Sequence, residues 1–208
     1  MDSRKRILVI SSKRPFPVQD GASIRTSQMI RMLSQIFEVD LVYTCNPYKT
    51  FADLTELRCF CRQISEFLEP KWKCVLRALL GFFKSRPLQC SYFYSPRMMS
   101  YIQEHLSLYD YVFCNNIRTV PYVDGSKCNK IIDYVDAISM NYIGASLKAN
   151  WIWRLVYKFE ANRLISYENK VLKSFDKFII ISDVDRQFIL RHADLEISNK
   201  HIEVIGNS

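Results

Sequence analysis

The chain has 208 residues, 49% of them hydrophobic and 13% aromatic, and a formal net charge of +8. That length and apolar content exclude a disordered chain and suffice to bury a core. The basic excess points to an anionic partner, whether nucleic acid, acidic lipid or a phosphorylated small molecule. The seven cysteines contain no Cys-x-x-Cys pair, Cys59 and Cys61 stand too close for a zinc knuckle, and the three histidines keep no metal-motif spacing from a cysteine. Free thiols in a reducing cytoplasm are therefore expected, with no metal and no cofactor. No window approaches about 18 uninterrupted apolar residues, so no membrane-spanning helix is predicted. The Met-Asp-Ser-Arg-Lys-Arg start runs straight into a strand, and no signal peptide is expected.

Residues 7–10 (Ile-Leu-Val-Ile) are a short continuous apolar run, the pattern of a parallel strand covered on both faces. Residues 13–21 carry two prolines and the Asp20-Gly21 pair and read as loop. Met29, Ile30, Leu33 and Phe37 then fall on one helical face, with Ser23 as the candidate N-cap. A strand that delivers such a loop to a helix N-terminus offers N–H groups and partial positive charge to an anion. Gly21 permits close backbone approach there, and Arg25 adds a fixed charge in the first turn. The loop is neither Gly-x-Gly-x-x-Gly nor a Walker loop, so a dinucleotide fingerprint is absent. The same arrangement is also the ordinary opening of an α/β fold.

A second strand is predicted at 39–44, a helix at 48–62 and a short strand at 64–68, followed by the basic stretch 70–87 and a helix at 95–107. The strand at 109–114 ends at Asn115 and Asn116, on the edge where open parallel sheets bind ligands, which makes Asn115 a candidate contact. A strand at 130–135 runs into Asp133-Tyr-Val-Asp136. A helix at 151–173 sets Glu160 and Arg163 at pairing distance. The very apolar strand at 178–181 leads to Ser182, which caps a helix reaching about residue 192 and also faces any ligand on that edge. The last strand is at 202–205. Strands alternating with helices at this spacing predict an α/β fold: a Rossmann-like, doubly wound parallel sheet in one domain.

Residues 70–87 hold Lys71, Lys73, Arg77, Lys84 and Arg86 and no acid. At helical spacing Lys73, Arg77 and Lys84 form one stripe, and Trp72, Leu76, Leu79 and Phe83 a second about a quarter-turn away. Bases flanking a Trp/Phe/Leu face suit a helix lying on an anionic membrane. An outer helix packing its apolar side on the sheet fits the pattern equally. No RRM, helix-turn-helix or zinc-finger signature supports nucleic acid as the partner. Strand alternation would set Asp133 and Asp136 on opposite faces. Asp136 is the one expected in a cleft, as a base or as acceptor of a hydroxyl hydrogen bond; a loop carboxylate capping the next segment is the alternative. No Gly-x-Ser-x-Gly occurs, so hydrolase chemistry has no support.

Taken in order, a set of segments resembles the N-terminal half of a GT-B glycosyltransferase of the retaining family 4 type. The first two are Ile-Leu-Val-Ile-Ser-Ser-Lys-Arg-Pro-Phe-Pro-Val-Gln-Asp-Gly-Ala-Ser-Ile-Arg at 7–25 and Phe-Glu-Val-Asp-Leu-Val-Tyr-Thr at 37–44. The next are Ile-Asp-Tyr-Val-Asp at 132–136 and Tyr-Lys-Phe-Glu-Ala-Asn-Arg-Leu-Ile-Ser-Tyr-Glu at 157–168. The last are Phe-Asp-Lys-Phe-Ile-Ile-Ile-Ser-Asp-Val-Asp at 175–185 and Ile-Glu-Val-Ile-Gly-Asn at 202–207. The Asp-x-Val-Asp and Glu-x-x-Arg-Leu-x-x-Tyr-Glu elements look most like a sugar-transferase subgroup of bacterial polysaccharide clusters.

The resemblance implies two Rossmann-like domains facing a cleft, the N-terminal one binding the acceptor. Gly21 would match the glycine of the first loop, Arg25 a cleft-facing base, Asp136 a residue near the reacting sugar, and Ser182 the acceptor side. Asn207 would match the Asn of the usual Pro-Asn-Gly step into the second domain, which here reads Gly206-Asn207-Ser208. On this resemblance residues 1–208 are the acceptor-binding domain and the donor-binding domain is absent, so sugar transfer is expected only once a donor-binding half joins it. The expected partners are then a nucleotide sugar, a saccharide or lipid-linked acceptor, a partner protein carrying the donor half, and an anionic membrane. The expected setting is cell-surface polysaccharide or glycolipid synthesis, in the cytoplasm or on the inner face of the cytoplasmic membrane. A non-catalytic module, or a truncated relic, using the same cleft for a phosphorylated ligand or protein partner is the alternative.

Overall fold

The structure, a computed structural model, describes residues 4–17, 20–47, 54–82 and 86–206. Its strands are β1 (Arg6–Ser11), β2 (Glu38–Cys45), β3 (Gln63–Leu68), β4 (Tyr111–Asn115), β5 (Asn129–Asp133), β6 (Lys177–Ile180) and β7 (Glu203–Val204). All pair in parallel, in the order β3-β2-β1-β4-β5-β6-β7. The chain winds outward from β1 to β3, then returns to β4 on the other side of β1. The switch point therefore lies between β1 and β4, where an open α/β sheet leaves a crevice at its C-terminal edge. The helices are α1 (Gly21–Ser34), α2 (Thr55–Arg58), α3 (Lys71–Gly81), α4 (Leu88–Tyr92), α5 (Pro96–His105), α6 (Ile138–Lys148), α7 (Trp151–Ser174) and α8 (Asp183–Arg191). Two 3-10 turns occupy Leu106–Leu108 and Ile117–Tyr122.

The apolar strands are covered on both faces because each face buries alternate side chains. Ile7 and Val9 meet Met29 and Ile30 of α1 on one side; Leu8 and Ile10 join the larger cluster with Met98, Ile102, Leu164 and Val171 on the other. The apolar residues of one face give way to polar ones at the C-terminal edge. Ser11, Asn115 and Asp133 stand in register across β1, β4 and β5. All three are buried.

Helix α1 starts one turn ahead of the predicted cap. Asp20 is the N-cap: its Oδ1 accepts from the Ser23 N–H at 2.8 Å, while Ser23 Oγ accepts from the Asp20 N–H at 3.0 Å. Ser23 is thus the third residue of a capping box rather than the cap. Ser182 caps α8 as predicted, accepting from the Asp185 N–H. Of the helix predicted at 48–62, residues 55–58 are helical and 48–53 lie outside the described residues. Helix α6 and the 3-10 turn after β4 are additions that no clear apolar period announces.

Helix α3 faces the opposite way from an ordinary outer helix. Cys74 and Gly81 are its buried positions, with Gly81 so close to Ser91 of α4 that a Cβ would meet Ser91 Oγ at 2.4 Å. Trp72, Val75, Leu76, Leu79 and Leu80 are all exposed. Spacings of 3, 4, 7 and 8 put these five on one outward face. This orientation corrects one expected membrane contact. Arg77 turns inward and pairs with Glu69 at 2.7 Å, and Glu69 in turn accepts from Ser95 Oγ. Lys73 is exposed at the rim of the apolar face. Lys84 and Phe83 lie outside the described residues.

Candidate functional site

The C-terminal edge gathers the ends of β1, β4, β5 and β6. Two residues expected to contact ligand there are interior instead. Arg25 is 1% exposed. Its Nε and Nη2 donate to Asp133 Oδ2 and Oδ1 at 2.6 and 2.9 Å, and its Nη1 donates to the Ile205 carbonyl at 2.6 Å. Asn115 donates to Thr26 Oγ1 at 2.6 Å and to Ser11 Oγ at 3.4 Å. Arg25 and Thr26 are neighbours on α1, so the polar row of the sheet edge is the surface on which α1 docks. The physical reason is that a buried polar row must be satisfied, and the adjacent helix supplies the partners. Burial raises the Asp133 carboxyl above its ordinary value, with Arg25 and the Val135 N–H opposing.

The first loop shows a second departure. Asp20 occupies the N-terminus of α1 that an external anion would use, and its Oδ2 accepts from Lys13 Nζ at 2.5 Å. The Lys13 ammonium and the Ser23 N–H hold the Asp20 carboxyl down at about 2. Gly21 follows it as the first helical residue, exposed, with nothing within 4 Å of where a Cβ would stand. Asn207 lies outside the described residues.

Asp136 stands three residues beyond the end of β5. Val135 takes φ +65°, rare for a β-branched residue. A three-residue turn closes there, with the Asp136 N–H donating to the Tyr134 carbonyl at 2.8 Å. Asp136 is half-buried, and its Oδ2 accepts from Asn141 Nδ2 at 2.6 Å. Burial raises its carboxyl above the usual range, with the charge of Arg118 as the chief opposing influence. A half-buried carboxylate of raised pKa can take a proton from a hydroxyl or orient it.

Arg118 itself was not singled out by the sequence. It is the second residue of the 3-10 turn after β4, where the N-cap Asn116 (φ +68°) accepts from the Arg118 N–H at 2.9 Å. Its Nε donates to Gln89 Oε1 at 2.7 Å, its guanidinium lies 4.7 Å over the Phe93 ring, and Gln89 donates on to Tyr142 Oη. No carboxylate stands within ion-pair distance of Arg118 among the described residues. Burial lowers its pKa, with Asp136 the main opposing charge. The available signal was position: Arg118 stands two residues beyond Asn116, at a strand's C-terminal end.

Ser182 is half-buried and committed to Asp185, both as acceptor from its N–H and as donor to its Oδ2. Asp185 Oδ1 accepts from the Ala137 N–H at 2.9 Å, which ties α8 to the start of α6. Deeper in, Glu168 of α7 accepts from the Ser139 N–H and, at 2.6 Å, from Ser139 Oγ. Burial pushes the Glu168 carboxyl up to about 7. Among the described residues no cluster of His, Cys, Asp and Glu is arranged to hold a metal.

This architecture, seven parallel strands with flanking helices, is a Rossmann-like doubly wound domain. No protein-family profile and no curated protein matches the chain. Among solved structures it is similar to sucrose-phosphate synthase from Thermosynechococcus elongatus, at a TM-score of 0.51 and 10% identity. The match covers 98% of this chain and 91% of that one. The likeness supports the fold.

Proposed function

We propose that the chain is the acceptor-binding domain of a glycosyltransferase, of the GT-B, family 4 type that the sequence resembles. The observation that carries this reading is a carboxylate and a cation just beyond the C-terminal ends of β5 and β4: half-buried Asp136, of raised pKa, and half-buried Arg118, without an ion-pair partner among the described residues. A sugar hydroxyl can give its hydrogen bond to Asp136, while Arg118 suits an acid or phosphate group on the same acceptor. The fold shared with sucrose-phosphate synthase agrees with it. Gly21, with open space about it, and Ser182 flank the same edge and are assigned to ligand approach; Arg25 and Asn115 support the crevice from beneath by fixing α1. Asn207 keeps its assignment at the step toward a donor-binding half. That half would supply the nucleotide-sugar pocket and the charges that stabilise the leaving diphosphate.

The test is saturation-transfer NMR on the purified chain with sugars and their phosphate esters. Binding of at least one ligand is expected, weakened by Asp136→Asn, with Arg118→Gln removing the preference for the phosphate ester. Absence of signal from every sugar, or identical signal from both variants, overturns the reading. With a donor-binding half supplied, equal turnover by Asp136→Ala and the unmodified chain removes any catalytic role for Asp136.

A further inference from the structure

Two acid-free stretches of the chain, residues 70–103 and 137–159, come together on one side of the molecule. They supply α3 and the α6–α7 hairpin. The two elements meet where Phe82 packs on Phe159, with ring centroids 5.3 Å apart, and where Arg163 donates to the Gly81 carbonyl at 3.0 Å. The first nine residues of α7 bury no side chain fully; Glu160 is the first that does. The hairpin tip therefore stands out from the core. It carries Leu147, Trp151, Ile152, Trp153 and Leu155, all exposed. The chain has three tryptophans, and all of them lie here: Trp72 on α3 and Trp151 and Trp153 on the hairpin, 63%, 72% and 54% exposed.

The charges bordering this apolar surface have one sign. Lys71 and Lys73 flank the face of α3, and Lys148, Arg154 and Lys158 flank the hairpin, all exposed. None has an acidic partner among the described residues. The two nearest acids in sequence are neutralised within the fold, Glu69 by Arg77 and Glu160 by Arg163. No helix of the described residues is long and apolar enough to cross a membrane.

We propose that the α6–α7 hairpin and the outward face of α3 together form a docking surface for an anionic lipid bilayer. Tryptophan at a border between apolar residues and bases matches the layering of headgroup over acyl chain, and the uniform positive rim matches anionic headgroups. A second copy of this chain would bring like charges face to face. The hairpin extends the basic-helix reading of α3, and neither element depends on sugar transfer. The assay below uses no sugar, so its failure leaves the acceptor reading standing, and the reverse holds as well.

The experiment is flotation of the purified chain with phosphatidylcholine vesicles, with and without phosphatidylglycerol, paired with tryptophan emission. Flotation is expected only with phosphatidylglycerol. The Trp72→Phe variant, which reports the hairpin, and the Trp151→Phe/Trp153→Phe variant, which reports α3, are both expected to shift to the blue on those vesicles. Removing one base costs about fivefold in partitioning, and reversal costs more, so Lys148→Glu/Arg154→Glu/Lys158→Glu should fall by at least about a hundredfold. Trp151→Ser/Trp153→Ser should fall by about tenfold. All these positions are exposed, and an unchanged far-UV spectrum verifies folding. The proposal is overturned if the chain floats with neither vesicle or with both alike, if the hairpin tryptophans do not shift, or if the charge-reversed variant floats unchanged. A dimer in sedimentation that Trp151→Ser/Trp153→Ser dissolves, without flotation, would assign the surface to a second copy and also overturn it.

Discussion

Arg25→Met tests the assignment of Arg25 to the interior. Methionine keeps the unbranched apolar stem and removes the guanidinium, so Asp133 loses donors at 2.6 and 2.9 Å and retains only the Val135 N–H at 3.0 Å. Breaking one side of a buried ion pair costs about 3–5 kcal/mol. The loss has a definite pH dependence. Burial already raises the Asp133 carboxyl, and Arg25 is the chief influence against it. In the variant the folded protein therefore holds that proton to a higher pH than the unfolded chain does. Above the unfolded value of about 3.9 the unfolded state binds fewer protons, so stability falls as pH rises, by up to about 1.4 kcal/mol per pH unit until the folded group ionises. Urea denaturation followed by circular dichroism at several pH values measures both quantities. The double variant Arg25→Met/Asp133→Asn leaves no charge at this position and keeps an acceptor for Val135. It is expected to recover all but about 1–2 kcal/mol and to lose the added pH slope. A single variant within about 1 kcal/mol of the parent near neutral pH, or a double variant no better than the single one, would refute the reasoning.

Glu168 gives a second pH signature. Its folded pKa of about 7 stands above its ordinary 4.5, so the protein loses stability as pH rises between those values. The full loss is about 3 kcal/mol at 1.36 kcal/mol per unit. Glu168→Gln is expected to remove that slope while still bonding Ser139; denaturation midpoints against pH check it, and an unchanged slope contradicts it. At α3, Gly81→Ala sets a Cβ 2.4 Å from Ser91 Oγ and 2.6 Å from Ser91 Cβ. The strain is expected to cost about 1–3 kcal/mol despite the better helix propensity of alanine, and Ser91→Gly in the same chain should relieve it. Thermal melts of the two variants decide the matter, equal melting temperatures counting against the close packing of α3 on α4.

The strands, their parallel pairing and the doubly wound class were legible in the amino-acid sequence, because continuous apolar runs such as Ile7-Leu-Val-Ile10 have few ways to be buried twice. Ser182 as a cap and Glu160 with Arg163 as a pair were legible because each depends on residues three apart. Asp136 was legible as a residue at a strand's end. What the tertiary structure alone decided is the direction in which side chains point. Arg25, one position away from a solvent-facing Ile24, turns inward because Asp133 waits across the sheet edge, 108 residues away in sequence. Asn115 is spent on Thr26, and Asp20 fills the helix end that an anion would take. Arg118 gains its interest only from Asp136 and Gln89, which the fold brings beside it. The basic helix shows the division plainly. Its period fixes an apolar stripe, but which way that stripe faces depends on Gly81 meeting Ser91 and Arg77 meeting Glu69. Local pattern is set by neighbours along the chain; orientation is set by partners that only the folded chain supplies.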